Sequence, residues 1–156
     1  MIHFRCADRT DSELIHSLMV QAFTEYQNSK APSSAMQETT ASIDAAFEKG
    51  EQALIACDET TPVGMVRFKV REDVLYFFRL SVIPENQGQG VAKRILQELE
   101  EVAKKKNKHS VTCRVRKNVT RNVHLYQSMG YHLFDQEVVH KPDGIDIAVV
   151  HMKKKL

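Results

Sequence analysis

Tryptophan is absent from these 156 residues, cysteine occurs three times, proline four times and glycine six times. Each scarcity excludes something. Cys6, Cys57 and Cys113 form no CxxC pair and are odd in number, which argues against a disulfide framework. All three fall in strand-like segments and read as buried free thiols in a reducing compartment. No apolar run approaches the roughly 18 residues of a membrane span. The opening MIHFRCADRTDSE is charged too early for a secretory signal. A cytoplasmic protein without a membrane segment is expected. The seven histidines form no HxH or HxxxH pair, so no metal is expected. Repeats, low-complexity tracts and linkers are missing too. The most loop-like stretch, NSKAPSSA at 28–35, is too short to be a domain linker. A single domain over residues 1–156 follows, long enough to bury a core.

What is present is ordinary in amount and uneven in place. The chain is 42% hydrophobic and 27% charged, with a net charge of +2. Residues 1–62 hold four Lys/Arg against ten Asp/Glu, a net −6, and the remainder holds eighteen against ten, a net +8. Such a split suggests that the acidic and basic segments meet different partners. KKKNK at 104–108 and KKK at 153–155 have no aromatic interleaving and no nucleic-acid motif beside them. The first run also ends a helical pattern, where the dipole favours lysine, so no nucleic acid is expected.

Periodicity divides the chain into eleven elements. MIHFRCA reads as a strand. A helix follows to about residue 27, capped by Thr10 or Asp11, with Leu14, Leu18, Met19, Ala22 and Phe23 in register. A second helix is expected over 35–49, stopped by Gly50. Then the period shortens. Residues 51–58, 62–72 and 74–83 read as three strands joined by polar turns too short for anything but antiparallel neighbours. The third is apolar nearly throughout, as a central strand covered on both faces would be. Next comes a helix with Val91, Ile95, Leu96, Leu99, Val102 and Ala103 on one stripe, a strand at 109–116 and a short helix at about 119–129 ended by Gly130. A last antiparallel pair turns around KPDG. The order β-α-α-β-β-β-α-β-α-β-β gives an α/β fold with a mixed sheet and one parallel crossover.

The stretch SVIPENQGQGVAKRIL, residues 81–96, places Gly88 and Gly90 where a helix begins. A helix N-terminus leaves about four N–H groups without internal partners and carries roughly half a positive charge. Bare backbone there lets an anion approach. Lys93 and Arg94 add positive charge to a first turn that alone would prefer acids. A phosphate-bearing ligand resolves that conflict. The Walker pattern is missing its GK[ST], and the dinucleotide pattern fails because Lys93 stands at the third glycine.

Gln87-Gly88-Gln89-Gly90-Val91-Ala92 resembles the Q/R-x-x-G-x-G/A signature of the GNAT superfamily of N-acetyltransferases. NVHLYQSMGY, from Asn122 to Tyr131, resembles that family's helix ending in L-Y-x-x-x-G-F, and the element order is also the family's. The resemblance implies a cleft where strands 4 and 5 splay to receive acetyl-CoA as co-substrate. It implies that Gln87, Gly88, Gln89, Gly90, Val91 and Ala92 hold the pyrophosphate with Lys93 near it. The pantetheine arm would pair with Leu80, Ser81 and Val82, and Val82 N–H would polarise the thioester carbonyl. Tyr126 would be the general acid toward the leaving sulfur. Many members carry Asn seven residues before this Tyr. Val119 stands there, leaving Asn118 or Asn122 for the role, with Asn122 favoured as the one inside the helix. Glu25, Tyr26, Glu72, Asp73, Glu137 and His140 are candidate bases without diagnostic spacing.

Two functions fit the resemblance: acetyl transfer to a primary amine of a small molecule or peptide, or non-catalytic acyl-CoA binding by a sensor or regulator. The family's first two helices shape the acceptor side. The acidic N-terminal segment of this chain therefore suggests a cationic amine. A homodimer paired across a two-fold axis at strand seven is compatible with the resemblance.

Overall fold

The computed structural model describes residues 1–24 and 34–156. Glu25, Tyr26 and most of the 28–35 loop lie outside them. Seven strands form one sheet: β1 (Ile2–Cys6), β2 (Gln52–Asp58), β3 (Thr61–Val70), β4 (Val74–Val82), β5 (Ser110–Arg116), β6 (His132–His140) and β7 (Asp146–Lys155), in the order β1-β2-β3-β4-β5-β7-β6. Four helices cover it: α1 (Ser12–Phe23), α2 (Thr40–Glu48), α3 (Val91–Lys105) and α4 (Thr120–Ser128). Every neighbour pair is antiparallel except β4 and β5, which run parallel across the α3 crossover. None of the described helices is long and apolar enough to cross a membrane.

Two apolar layers sandwich the sheet. Ile15, Leu18 and Met19 of α1 and Ile43 of α2 pack on Ala53, Ile55 and Met65. The stripe of α3 packs on the other face, against Leu54, Val66, Phe68, Leu75 and Phe77. At Gly64, β3 comes close to both β4 and α3. A Cβ there would stand 2.7 Å from Ser81 O and 3.1 Å from Ile95 Cδ1. Gly64→Ala must push the end of β4 outward, and we expect a loss of about 1–3 kcal/mol, read as a lower denaturant midpoint.

Several expectations need correction. The segment 35–49 is not one helix. A 3-10 turn over Ser34–Gln37 precedes α2, and Thr39 between them is extended at φ −121°. Its hydroxyl accepts from Ser42 N–H, and Ser42 Oγ in turn accepts from Thr39 N–H. This reciprocal cap starts the helix late. Asp11 occupies the cap position of α1 without capping it, because its carboxylate accepts from Arg5 and from Asp8 N–H. Cys6 is exposed on an edge strand, Cys57 is half-buried, and only Cys113 is buried, which pushes its thiol up to about 12. Strand seven cannot serve as the edge of a dimer, since β5 and β6 flank it on both sides and the free edges belong to β1 and β6.

β4 is central but covered on one face only. Leu75 and Phe77 are buried, whereas Tyr76, Phe78 and Leu80 are half-exposed and wall a cavity. Arg79 explains the shape. It takes φ +57°, and two residues of β4 stand opposite one of β3 there. Such a bulge bends and twists a strand. The β4–β5 ladder runs from Val74↔Ser110 to Phe77↔Cys113 and stops. Beyond it the two strands diverge.

Candidate active site

The cleft opens at that divergence. Gly90 is the N-cap of α3, in left-handed backbone at φ +80°, with no side-chain cap, and the first turn contains no acid. Gly88 is left-handed as well, at φ +76°. A Cβ at either position would meet nothing within 4 Å. Neither glycine is there to relieve crowding. Each permits a backbone turn that L-residues rarely adopt and leaves the helix end open. The first N–H answered within α3 is that of Arg94, on Gly90 O at 3.2 Å. The loop is fixed by its own glutamines: Gln87 Nε2 donates to Val82 O (3.0 Å) and Gln89 Nε2 to Glu85 O (3.3 Å).

The cleft holds about 460 Å³, bounded by Leu80 and Val82 of β4, by Gln87, Gly88, Gly90, Val91, Ala92 and Lys93, and by Arg121, Asn122 and Leu125 of α4, with Ala22 and Phe23 of α1 closing it. Nine of the eleven residues expected to hold acetyl-CoA thus share one cavity. Two do not. Ser81 is buried, its hydroxyl donating to Arg79 O, so only its backbone belongs to the strand end. Gln89 turns back onto Glu85. Arg94 leaves the loop altogether, donating to Ile2 O and lying over the Phe4 ring. Ile83 N–H bonds Val63 O (2.9 Å), so by strand alternation Val82 directs its N–H to the opposite edge, toward the gap. Of the two asparagines, Asn122 lines the cleft and Asn118 is exposed outside it. Arg121 and Phe23 were not anticipated. Arg121 carried a signal, since a cation in the first turn of a helix runs against the dipole, as Lys93 does.

A second cavity of about 330 Å³ joins the first through Phe23, Leu80 and Asn122, which line both. Tyr126 stands here, one helical turn beyond Asn122. Its ring packs edge-on against Phe77 (5.6 Å) and lies 6.0 Å from Tyr131. Tyr131 has a different role: its hydroxyl donates to Glu100, which also takes Lys154, and burial raises its pKa. Tyr76 is a second phenol of this cavity, with its pKa also raised by burial. It sits opposite Thr112, inside the paired stretch of β4 and β5.

Of the candidate bases, Glu25 and Tyr26 lie outside the described residues. Among the described residues no Asp, Glu or His lines this cavity. Glu72 and Asp73 occupy the turn before β4, at the paired end of the ladder, where their carbonyls accept from Lys108 and His109. Glu137 is bound to Arg114, and exposed His140 pairs with Asp146 at 2.7 Å.

Nor is the expected acidic acceptor side found among the described residues. Eight of the ten carboxylates in residues 1–62 are spent inside the fold. Asp8 caps a turn, Asp11 holds Arg5, and Asp44 and Glu48 hold Arg9. Asp58 and Glu59 hold the N-terminal ammonium. Glu38 and Glu51 grip the buried Arg67 at 2.8 and 2.7 Å, and Glu38 reaches Arg79 at 2.9 Å. The cavity instead presents Arg79, Arg114, Arg116 and Lys141.

Comparison with known proteins adds the following. No curated protein matches the chain significantly. Solved structures share its fold end to end. The PaiA N-acetyltransferase of Thermoplasma acidophilum, in complex with coenzyme A, superposes with a TM-score of 0.80 at 17% identity, covering 100% of this chain and 99% of that one. YncA of Salmonella typhimurium, with its cofactor acetyl-CoA, gives 0.80 at 19%, covering 100% and 94%. The ribosomal-protein-S18-alanine N-acetyltransferase of Escherichia coli gives 0.77 at 18%, covering 99% and 94%. At such identities the likeness is one of fold. The model of the acetyltransferase (GNAT) family matches residues 14–131, well over half the sequence, and by that match the chain belongs to the GNAT acetyltransferases.

Proposed function

We propose that this protein transfers an acetyl group from acetyl-CoA to a primary amine by direct attack in a ternary complex. The observation that carries the reading is the continuity of the two cavities across the gap between β4 and β5, with Tyr126 beside the junction. Acetyl-CoA supplies the activated thioester. The chain supplies position, polarisation and a proton. The helix end at Gly88–Lys93 receives the pyrophosphate through backbone N–H groups, with Lys93 as added charge. The unpaired edge of β4 after Phe77 offers main-chain groups to the pantetheine arm. Val82 N–H is a fixed donor for oxygen charge that develops on attack, the oxyanion-hole device. Asn122 steadies the arm from α4. Tyr126 gives its proton to the departing sulfur. A phenol near 10 and a thiol near 8.5 are close enough in acidity for that exchange, and the phenol stays protonated at neutral pH. The attacking amine gives up its proton to a proton acceptor or a water chain.

The similar structures with CoA and acetyl-CoA bound support the co-substrate assignment, and one acts by name on a ribosomal-protein alanine. The test is release of free CoA thiol. Thiol should appear only when acetyl-CoA and an accepted amine are both present, with the amine gaining about 42 Da by mass spectrometry as acetyl replaces hydrogen. Tight acetyl-CoA binding with no thiol released over a broad amine panel would instead identify a sensor.

A further inference from the structure

The acceptor cavity has a charge that the acetyl-transfer reading does not use. Arg79 enters it from β4, Arg114 and Arg116 from β5, and Lys141 from the β6–β7 turn. Three separate elements converge on it with one sign, and no Asp or Glu lines it among the described residues. Two carboxylates reach these cations from outside the lining: Glu38 at Arg79 and Glu137 at Arg114. Glu38 is shared between Arg79 and Arg67. The nearby Asp146 is taken by His140. Lys141 has no ion pair among the described residues. With Arg79 and Arg116 left out of the count, Arg114 and Lys141 face one carboxylate, Glu137, among the described residues. Among the described residues the cavity is thus positive, in a half-enclosed space where charge is poorly screened. Phe78, Val139, Ile147 and Val149 give it an apolar stretch of wall.

Resting on the acetyl-transfer reading, we propose that the acceptor is an amine that also bears an anionic group, a carboxylate or phosphate, joined to the amine by a short apolar spacer. Lys141 and Arg114 receive the anionic group while the amine points to the cleft beside Tyr126. A guanidinium fork and an ammonium suit carboxylate and phosphate alike. A polycationic amine is repelled by the same groups.

The test does not require the natural acceptor. CoA is joined through a stable S–CH2–CO–NH bridge to 4-aminobutyrate, 2-aminoethyl phosphate, 4-aminobutanol or putrescine, and each conjugate is titrated into the full-length protein. The carboxylate and phosphate conjugates are expected to bind about tenfold or more tighter than the putrescine conjugate, with the alcohol between them. The stronger of the two anionic arms names the group. In Lys141→Glu that advantage should collapse and the putrescine conjugate should gain. Unchanged affinity of this variant for CoA alone shows that it folds, and Lys141→Ala gives the milder form. Equal affinities, or putrescine tightest, overturn the anionic-acceptor proposal and leave acetyl transfer standing. Failure of CoA and of all four conjugates to bind overturns the acetyl-transfer reading, and this proposal with it.

Discussion

Tyr126→Phe is expected to lower kcat by about a hundredfold or more while acetyl-CoA affinity changes by no more than about threefold. The substitution removes one oxygen and leaves the ring. The ring is what packs on Phe77 and Tyr131, so the fold should survive. Lost is a proton donor for the sulfur, an interaction made as the C–S bond breaks and not when the co-substrate docks. Steady-state kinetics with acetyl-CoA varied checks both halves of the expectation. Tyr76→Phe is the matched control. That phenol lines the same cavity but lies within the paired ladder, and its loss should leave kcat within about threefold. An equal drop in both variants would mean that general polarity in the cavity, and not a placed acid, sustains turnover.

Gly90→Val should weaken acetyl-CoA binding by about a hundredfold or more, with two effects adding. Valine at φ +80° is strained, at a cost on the order of 1–3 kcal/mol, and the helix end must shift to relieve it. Its methyls also project into the space left open beside the N–H groups. Gly90→Ala keeps most of the strain with less bulk and should fall between. Thermal melts separate the two effects, since loss of affinity far beyond the loss of stability means that the open space was the ligand's. Affinity within about threefold of the parent protein would mean that the glycines serve only the turn.

These two residues were visible in the sequence because each sits in a local pattern. Two glycines at a helix start are a statement about backbone, and Tyr126 is fixed by its spacing to Gly130. The stripe from Val91 to Ala103 was equally legible, since helical periodicity is local. The divergence of β4 and β5 was not. It depends on a bulge at Arg79, and arginine in the left-handed region has no sequence signature; VLYFFRLSV reads as an unbroken strand. For the same reason the alternation that turns Tyr76, Phe78 and Leu80 to a cavity looked like a strand covered on both faces. The late start of α2 was legible in principle, as Thr39 and Ser42 stand at capping spacing, but helix-compatible residues on both sides masked it.

Charge was the most misleading local signal. A count over residues 1–62 gives an excess of acid, yet partners lie far along the chain: Glu38 with Arg67 and Arg79, Glu51 with Arg67, Asp58 and Glu59 with the N-terminus. Sequence gives the sum, and only the fold gives the pairing. After pairing, the described residues of the acidic segment have little left to offer an acceptor, and the positive cavity beside Tyr126 is built from residues spread over β4, β5 and the β6–β7 turn.

Every role assigned to the cleft requires acetyl-CoA to bind there, and calorimetric titration of acetyl-CoA into the purified protein tests that most directly. One molecule per chain with a Kd on the order of micromolar is the predicted result. No heat and no saturation at millimolar acetyl-CoA would contradict it, and the roles given to Val82, Gly88, Gly90, Lys93, Asn122 and Tyr126 would fall together.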